Sequence, residues 1–214
     1  MTEGSQKVSR HGKYIVIEGL DGSGKSTQHA RLLDSLGDKA IGVREPGDTP
    51  MAEQLRTLIK DKSLPRDPHT NLWLFMSSRV DLVNQVIRPN VEAGKHVIAD
   101  RNWLATVAYQ SAEGVNTDDI YTLAKLATKE FFQPDLLIFI DITDETRRER
   151  TTARGGHEQD YFDGLSSDYF AKVRQGYLDN LKQVDNHIII DGNGTPDEVE
   201  ALVTQQLQAI LQEE

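Results

Sequence analysis

The sequence predicts a single α/β domain, a parallel sheet sandwiched between layers of helices. Three observations point there. Short β-branched runs alternate with amphipathic helical stretches from one end of the chain to the other. Most of those runs are continuously apolar, the pattern of strands covered on both faces. A glycine-rich turn joins the first run to the first helical stretch, which suits a strand–turn–helix unit at the carboxyl edge of such a sheet.

The elements follow in order. The first run is Tyr14-Ile15-Val16-Ile17, and a helical pattern occupies Ser26 to Leu36. Ala40 to Val43, His96 to Ala99, Leu136 to Ile140 and His187 to Ile190 supply four more strands. Asn116 with Asp119 marks one helix start, and Thr195-Pro196-Asp197-Glu198 is a fuller signal, a capping box with proline at the first helical position. Arg154 to Gly164 is glycine-rich, charged and weakly periodic, and reads as a mobile loop. Right-handed crossovers place ligands at the carboxyl ends of the strands.

A chain of 214 residues fits one domain, with residues 1–12 read as a flexible leader and 13–214 as the folded unit. The absence of cysteine excludes disulfides and thiolate metal sites, and the six histidines show no metal-ligand spacing. No apolar stretch approaches the roughly 20 residues of a membrane span, so the expectation is a cytoplasmic protein. A net charge of −10 argues against nucleic acid and anionic membranes as partners. Local arginine clusters still admit small anionic ligands.

The segment Gly19-Leu20-Asp21-Gly22-Ser23-Gly24-Lys25-Ser26 matches G-x-x-x-x-G-K-[ST], the phosphate-binding P-loop, in the required strand–helix context. Its glycines let backbone N–H groups approach phosphate oxygens, and the helix start adds unpaired N–H groups and a positive dipole end. Lys25 supplies charge toward the β- and γ-phosphates, Ser26 a hydroxyl ligand for Mg²⁺, and Thr27 completes the nucleotide-binding stretch. A P-loop alone does not choose among GTPases, ATPases, motors and kinases. The guanine-reading tetrapeptide Asn-Lys-x-Asp is absent, and Asp191-Gly192-Asn193-Gly194 reads as a turn near the adenine.

Three further clusters lie on the acceptor side. Arg44-Glu45-Pro46-Gly47-Asp48-Thr49 follows the second strand, where an arginine reaches an acceptor phosphate and a proline walls a ring; taken alone it is equally a plain turn. Asp100-Arg101 ends the third strand: the carboxylate suits Mg²⁺ and the guanidinium suits a phosphate, although surface ion pairs are common there. Phe75 and Arg79 share a helix face, a plane beside a donor fork that fits a nucleobase or, in isolation, an ordinary core phenylalanine beside a surface arginine.

Together these pieces resemble thymidylate kinases of the bacterial type. The landmarks stand in family order: Asp21 in the P-loop, Arg44 to Gly47, Phe75 with Arg79, Asp100-Arg101, then Thr106 and Tyr109. The resemblance covers nearly the whole chain from Tyr14. It implies a five-stranded parallel P-loop sheet, a homodimer packed through helices, and ATP, dTMP and Mg²⁺ as ligands. It puts Asp21 near the deoxyribose 3′-hydroxyl, Phe75 on thymine, Arg79 at O4 and Thr106 near N3. Arg44 and Arg101 hold the dTMP phosphate, Tyr109 faces the ribose, and Pro46 lies near the 5-methyl group.

Thr143 to Arg150 and the following loop resemble the kinase lid, about residues 147–163. Lid arginines stabilise charge on the transferred group, and closure excludes water. Arg150 and Arg154 are the candidates, while Arg147 and Arg148 fit a solvated face equally well. Gly22 stands where eukaryotic relatives carry a catalytic arginine. The chain departs from the family at Asp48, Ala105 and Ser111, and Asp160-Tyr161-Phe162-Asp163 lacks the usual lid arginine. In the mechanism so implied, Lys25, Arg101, Arg150, Arg154 and Asp21 surround a direct in-line transfer. The attacking phosphate oxygen is already ionised, so no strong base is needed. Two alternatives stay open: a P-loop kinase for another nucleotide or a deoxynucleoside, with Glu45 as base, and a non-catalytic nucleotide sensor.

Overall fold

The computed structural model describes residues 12–61, 63–153 and 166–211. The expected leader, Arg154 and the remainder of the expected lid loop through residue 163 lie outside these, except Gly12, whose N–H donates to Val91 O at 2.9 Å.

Five strands form one parallel sheet in the order β2-β3-β1-β4-β5. They are β1 Tyr14–Gly19, β2 Ala40–Arg44, β3 His96–Asp100, β4 Leu136–Asp141 and β5 His187–Asp191. The register aligns Ile17 and Arg44 with Asp100, so the P-loop, the turn after β2 and the turn after β3 leave one edge side by side. The α/β sandwich expected from alternation is the fold observed. The expectation of two-sided burial holds for the three central strands only. Edge strands β2 and β5 bury one residue each, because neighbours flank them on a single side.

Period-two alternation along β1 divides the core. Ile15 and Ile17 face Leu32 of α1 (Lys25–Leu36) and Val199, Val203 and Leu207 of α9 (Pro196–Leu211). Tyr14 and Val16 face a thicker layer that includes α3 (Pro68–Leu82), α5 (Trp103–Ala112), α6 (Thr117–Thr128) and α8 (Ser167–Asn180). Between these come α2 (Pro50–Lys60), α4 (Arg88–Glu92) and α7 (Asp144–Ala153). Pro89 has no N–H to continue the helical ladder, and a π turn over Val83–Ile87 links α3 to α4.

Helix α5 is buried from Trp103 through Gln110, so every side chain on its first two turns meets protein or a cavity. Trp103 stacks on Phe132 at 4.5 Å and donates to its carbonyl, which makes it a packing residue. Helix α8 lies close against α5 because Gly176 has no side chain: a Cβ there would sit 3.1 Å from Ala108 Cα. The two helix-start signals formed at the residues named. Asn116 accepts from Asp118 N, and Thr195 and Glu198 exchange reciprocal bonds at the start of α9.

Candidate active site

The P-loop turns between β1 and α1 with Gly22 and Gly24 at φ 86° and 89°, conformations costly for any residue with a Cβ. Gly24 gives α1 no side-chain cap; the Lys25 N–H makes only a long bond to Ser23 Oγ at 3.4 Å, so the start of the helix can receive an anion. Lys25 is 7 % exposed and its Nζ donates to Asp21 Oδ1 at 3.2 Å. The same oxygen accepts from Arg101 Nη2 at 2.7 Å. Burial would raise the Asp21 pKa, but Lys25 and Arg101 together hold the carboxyl well below the usual carboxylate range.

Asp100 and Arg101 sit where the register puts them, beside the P-loop. Ser26 Oγ donates to Asp100 Oδ2 at 2.9 Å, and Asp100 Oδ1 is buried without a protein partner among the described residues. Arg101 has φ 79°, a strained value for a branched-out side chain, and it turns the chain from β3 into α5. Asn102 then caps α5 through Leu104 N. The Arg101 guanidinium lies 5.2 Å from the Tyr109 ring centre and donates to Tyr177 Oη at 2.9 Å. Burial pulls its pKa down, yet Tyr109, Tyr177, Asp21 and Glu18 around it hold the pKa well above the ordinary value.

Asp21, Arg101 and Tyr109 open onto a cavity of about 140 Å³. Asp21, Pro46, Phe75, Arg79, Arg101, Thr106 and Tyr109 all line it. Arg79 is 2 % exposed; its Nε donates to Glu45 Oε2 at 2.6 Å and its Nη2 to Thr106 Oγ1 at 2.9 Å. Arg44 is absent from the lining. Its guanidinium, 44 % exposed, pairs with Glu53 at 2.8 Å and Asp48 at 3.3 Å. Arg56, Asn102 and Gln110 line the cavity without having been singled out from the sequence. Arg56 reaches the wall by donating to Pro46 O at 2.7 Å. Gln110 follows Tyr109 directly, and its position beside the Thr106–Tyr109 pair was the available signal.

A second cavity, of about 350 Å³, lies across the P-loop between Gly22, Gly24 and Thr27 on one side and Gly194 and Pro196 on the other. Arg150 lines it and donates to the carbonyls of Gly22, Asn193 and Gly194. The turn 191–194 therefore does lie at this cavity. Arg147 is not on a solvated face: it is 7 % exposed, paired with Asp144, and stacked 4.0 Å from the Phe170 ring centre. Arg148 is exposed. Among the described residues no group of three or more His, Cys, Asp or Glu side chains could hold a metal by itself, and no helix is long and apolar enough to cross a membrane.

The thymidylate kinase family model matches residues 17–203. The chain belongs to the thymidylate kinase family. Relatives named thymidylate kinase agree along its length. That of Thermosipho africanus is 35 % identical, covering 92 % of this chain and all of its own. Those of Idiomarina loihiensis and Syntrophotalea carbinolica are 36 % and 38 % identical, covering 94 % and 87 % of this chain and 98 % and 90 % of theirs. Two departures from the thymidylate kinase pattern now have a place. Ala105, 8 % exposed, lines the acceptor cavity. Asp48 occupies φ 64°, and its side chain accepts from Arg44 N at 2.5 Å, the local bond that makes aspartate tolerable in the left-handed region.

Proposed function

We propose that the protein transfers the γ-phosphoryl group of ATP to dTMP, giving dTDP, with the two nucleotides meeting end to end across the P-loop. The observation that carries this reading is the acceptor cavity. A fixed guanidinium, Arg79, and a half-buried ring, Phe75, line its walls together with Arg101, itself bonded to the P-loop aspartate. Arg79 suits the O4 carbonyl of thymine and Phe75 its face. Thr106 stands near N3, Pro46 near the 5-methyl group, and Tyr109 with Asp21 on the sugar.

The capless start of α1 and Lys25 receive the ATP phosphates, and the 350 Å³ cavity suits its adenosine portion. Arg101 presents the acceptor phosphate, with Arg44 in the same role if its side chain leaves Glu53. Lys25, Arg101 and the lid arginines Arg150 or Arg154 neutralise charge on the group in flight. Ser26 and Asp100 fit Mg²⁺, since the orphaned Oδ1 and the hydroxyl beside it are hard oxygen donors, and a metal carried by ATP needs only one or two from the protein. Mg²⁺ bound there supplies charge neutralisation on the β- and γ-phosphates. A nucleoside acceptor would need Glu45 as base, a role at odds with its ion pair to Arg79 through Oε2.

In the same reading the protein works in the cytoplasm as a homodimer. Trp73 and Val80, seven residues apart on α3, and Leu126 on α6 are 57 %, 43 % and 68 % exposed, apolar surface that a second copy would cover. Coupled turnover with ATP against deoxynucleoside and nucleoside monophosphates and thymidine tests the activity. The highest kcat/KM is expected with dTMP; preference for any other acceptor overturns the assignment. Lys25→Ala should lower kcat on the order of 10²–10³-fold, as for loss of one preorganised donor.

A further inference from the structure

We propose that Tyr177 and Glu18 form a positioning relay for Arg101, fixing where its guanidinium meets the acceptor phosphate; this rests on the acceptor reading above. Arg101 leaves β3 with a left-handed backbone, so no regular element aims its long side chain. A long arginine side chain keeps its rotamer freedom unless something holds it. Asp21 holds Nη2 from the P-loop side. Tyr177 holds Nη1 from behind.

The Tyr177 contact is directional. Its hydroxyl donates to Glu18 Oε2 at 2.9 Å, which commits the proton and turns a lone pair toward Arg101. Glu18 spends its other oxygen on the chain just beyond Arg101: Oε1 accepts from Asn102 N at 2.8 Å and Ala105 N at 3.2 Å. One carboxylate thus grips the arginine at both ends: the backbone turn directly, and the guanidinium through a tyrosine, with Oε2 itself 4.0 Å from Nη1. Glu18 and Tyr177 are each 0 % exposed, and neither lines the acceptor cavity. They act through Arg101 and not on substrate. A glutamate near the end of an otherwise apolar strand is costly to bury. Three hydrogen bonds to it, each serving the same turn, give it a task.

Tyr177→Phe removes the hydroxyl and keeps the ring. Calorimetry should show dTMP affinity falling on the order of tenfold, the worth of one hydrogen bond to a charged group, with ATP affinity unchanged. In an Arg101→Ala background the same substitution should change dTMP affinity no further. Glu18→Gln should give the same acceptor-selective loss, because its amide must forfeit either the tyrosine or the N–H groups. An unchanged dTMP affinity in Tyr177→Phe overturns the relay. So does an equal loss for both nucleotides, or a loss that persists without Arg101. A wild-type protein that neither binds nor phosphorylates dTMP removes the acceptor reading and the relay with it; a competent wild type beside an unaffected Tyr177→Phe removes the relay alone.

Discussion

Arg79 and Glu45 form an ion pair at 2 % and 5 % side-chain exposure, and Glu45 Oε1 has no protein partner among the described residues. Burial pushes the Glu45 pKa up, while Arg79 opposes the shift. Removing one member strands the other. Glu45→Ala should therefore cost about 3–5 kcal/mol in denaturant unfolding, and weaken dTMP binding because Arg79 loses its aim. Glu18 makes a pH prediction with a definite sign. Burial, partly offset by Arg101, raises its pKa from 4.5 to about 7, so between those values the folded state holds a proton that the unfolded chain has released, and the accepting carboxylate is the form above about 7. Its contribution to stability is full below pH 4.5 and is lost as pH rises toward about 7. Unfolding titrations of Glu18→Gln should lack that downward slope. Phe75 and Arg79 were legible because an i, i+4 spacing is local. Glu45 as the partner of Arg79 was not, since 34 residues separate them. Nor was Arg56, whose helix face looks in sequence like any solvated one until Pro46 O is found beside it.

Local chemistry also decides which elements were legible. The P-loop, the Asn116 cap and the Thr195 capping box each specify their structure within a few residues, and all formed as read. Thr195→Ala removes the hydroxyl acceptor at the start of α9 and should cost about 1 kcal/mol of stability without changing turnover. Trp103→Ala should cost about 3–5 kcal/mol, because a stacked indole at 0 % exposure leaves a cavity between α5 and Phe132. Less legible was the difference between central and edge strands. Ala40 to Val43 and His187 to Ile190 read as apolar as the others, and only their place at the ends of the strand order exposes them. Arg147 was ambiguous for a similar reason: the ring it packs against is Phe170, on α8 and 23 residues away in sequence.

At the scale of the whole molecule, strand order matters more than any single contact. Setting β1 between β3 and β4 brings the P-loop next to Asp100 and Arg101 on one flank, while the turn after β5 comes within reach of Arg150 on the other. Two cavities therefore share one loop as their common wall. The net charge of −10 does not prevent anion binding, because Lys25, Arg56, Arg79 and Arg101 are gathered at that edge. Each nucleotide should stabilise the fold on its own. At 100 times its Kd, dTMP should add about 2.7 kcal/mol, visible as a rise in Tm. Lys25→Ala should reduce the shift produced by ATP while retaining most of that produced by dTMP.

The missing side chain at Gly176 has a consequence out of proportion to its size. It lets two helices ride nearly backbone on backbone, and the very next residue is the tyrosine behind Arg101. On the proposed relay, the spacing of that crossing is the ruler against which a reactive anion is measured. Alanine in its place would act as a shim, prising Ala108 from α8 and dragging the phenol off its mark. Such a protein could keep its fold, its P-loop and its grip on ATP, and still hand the second nucleotide over in the wrong place.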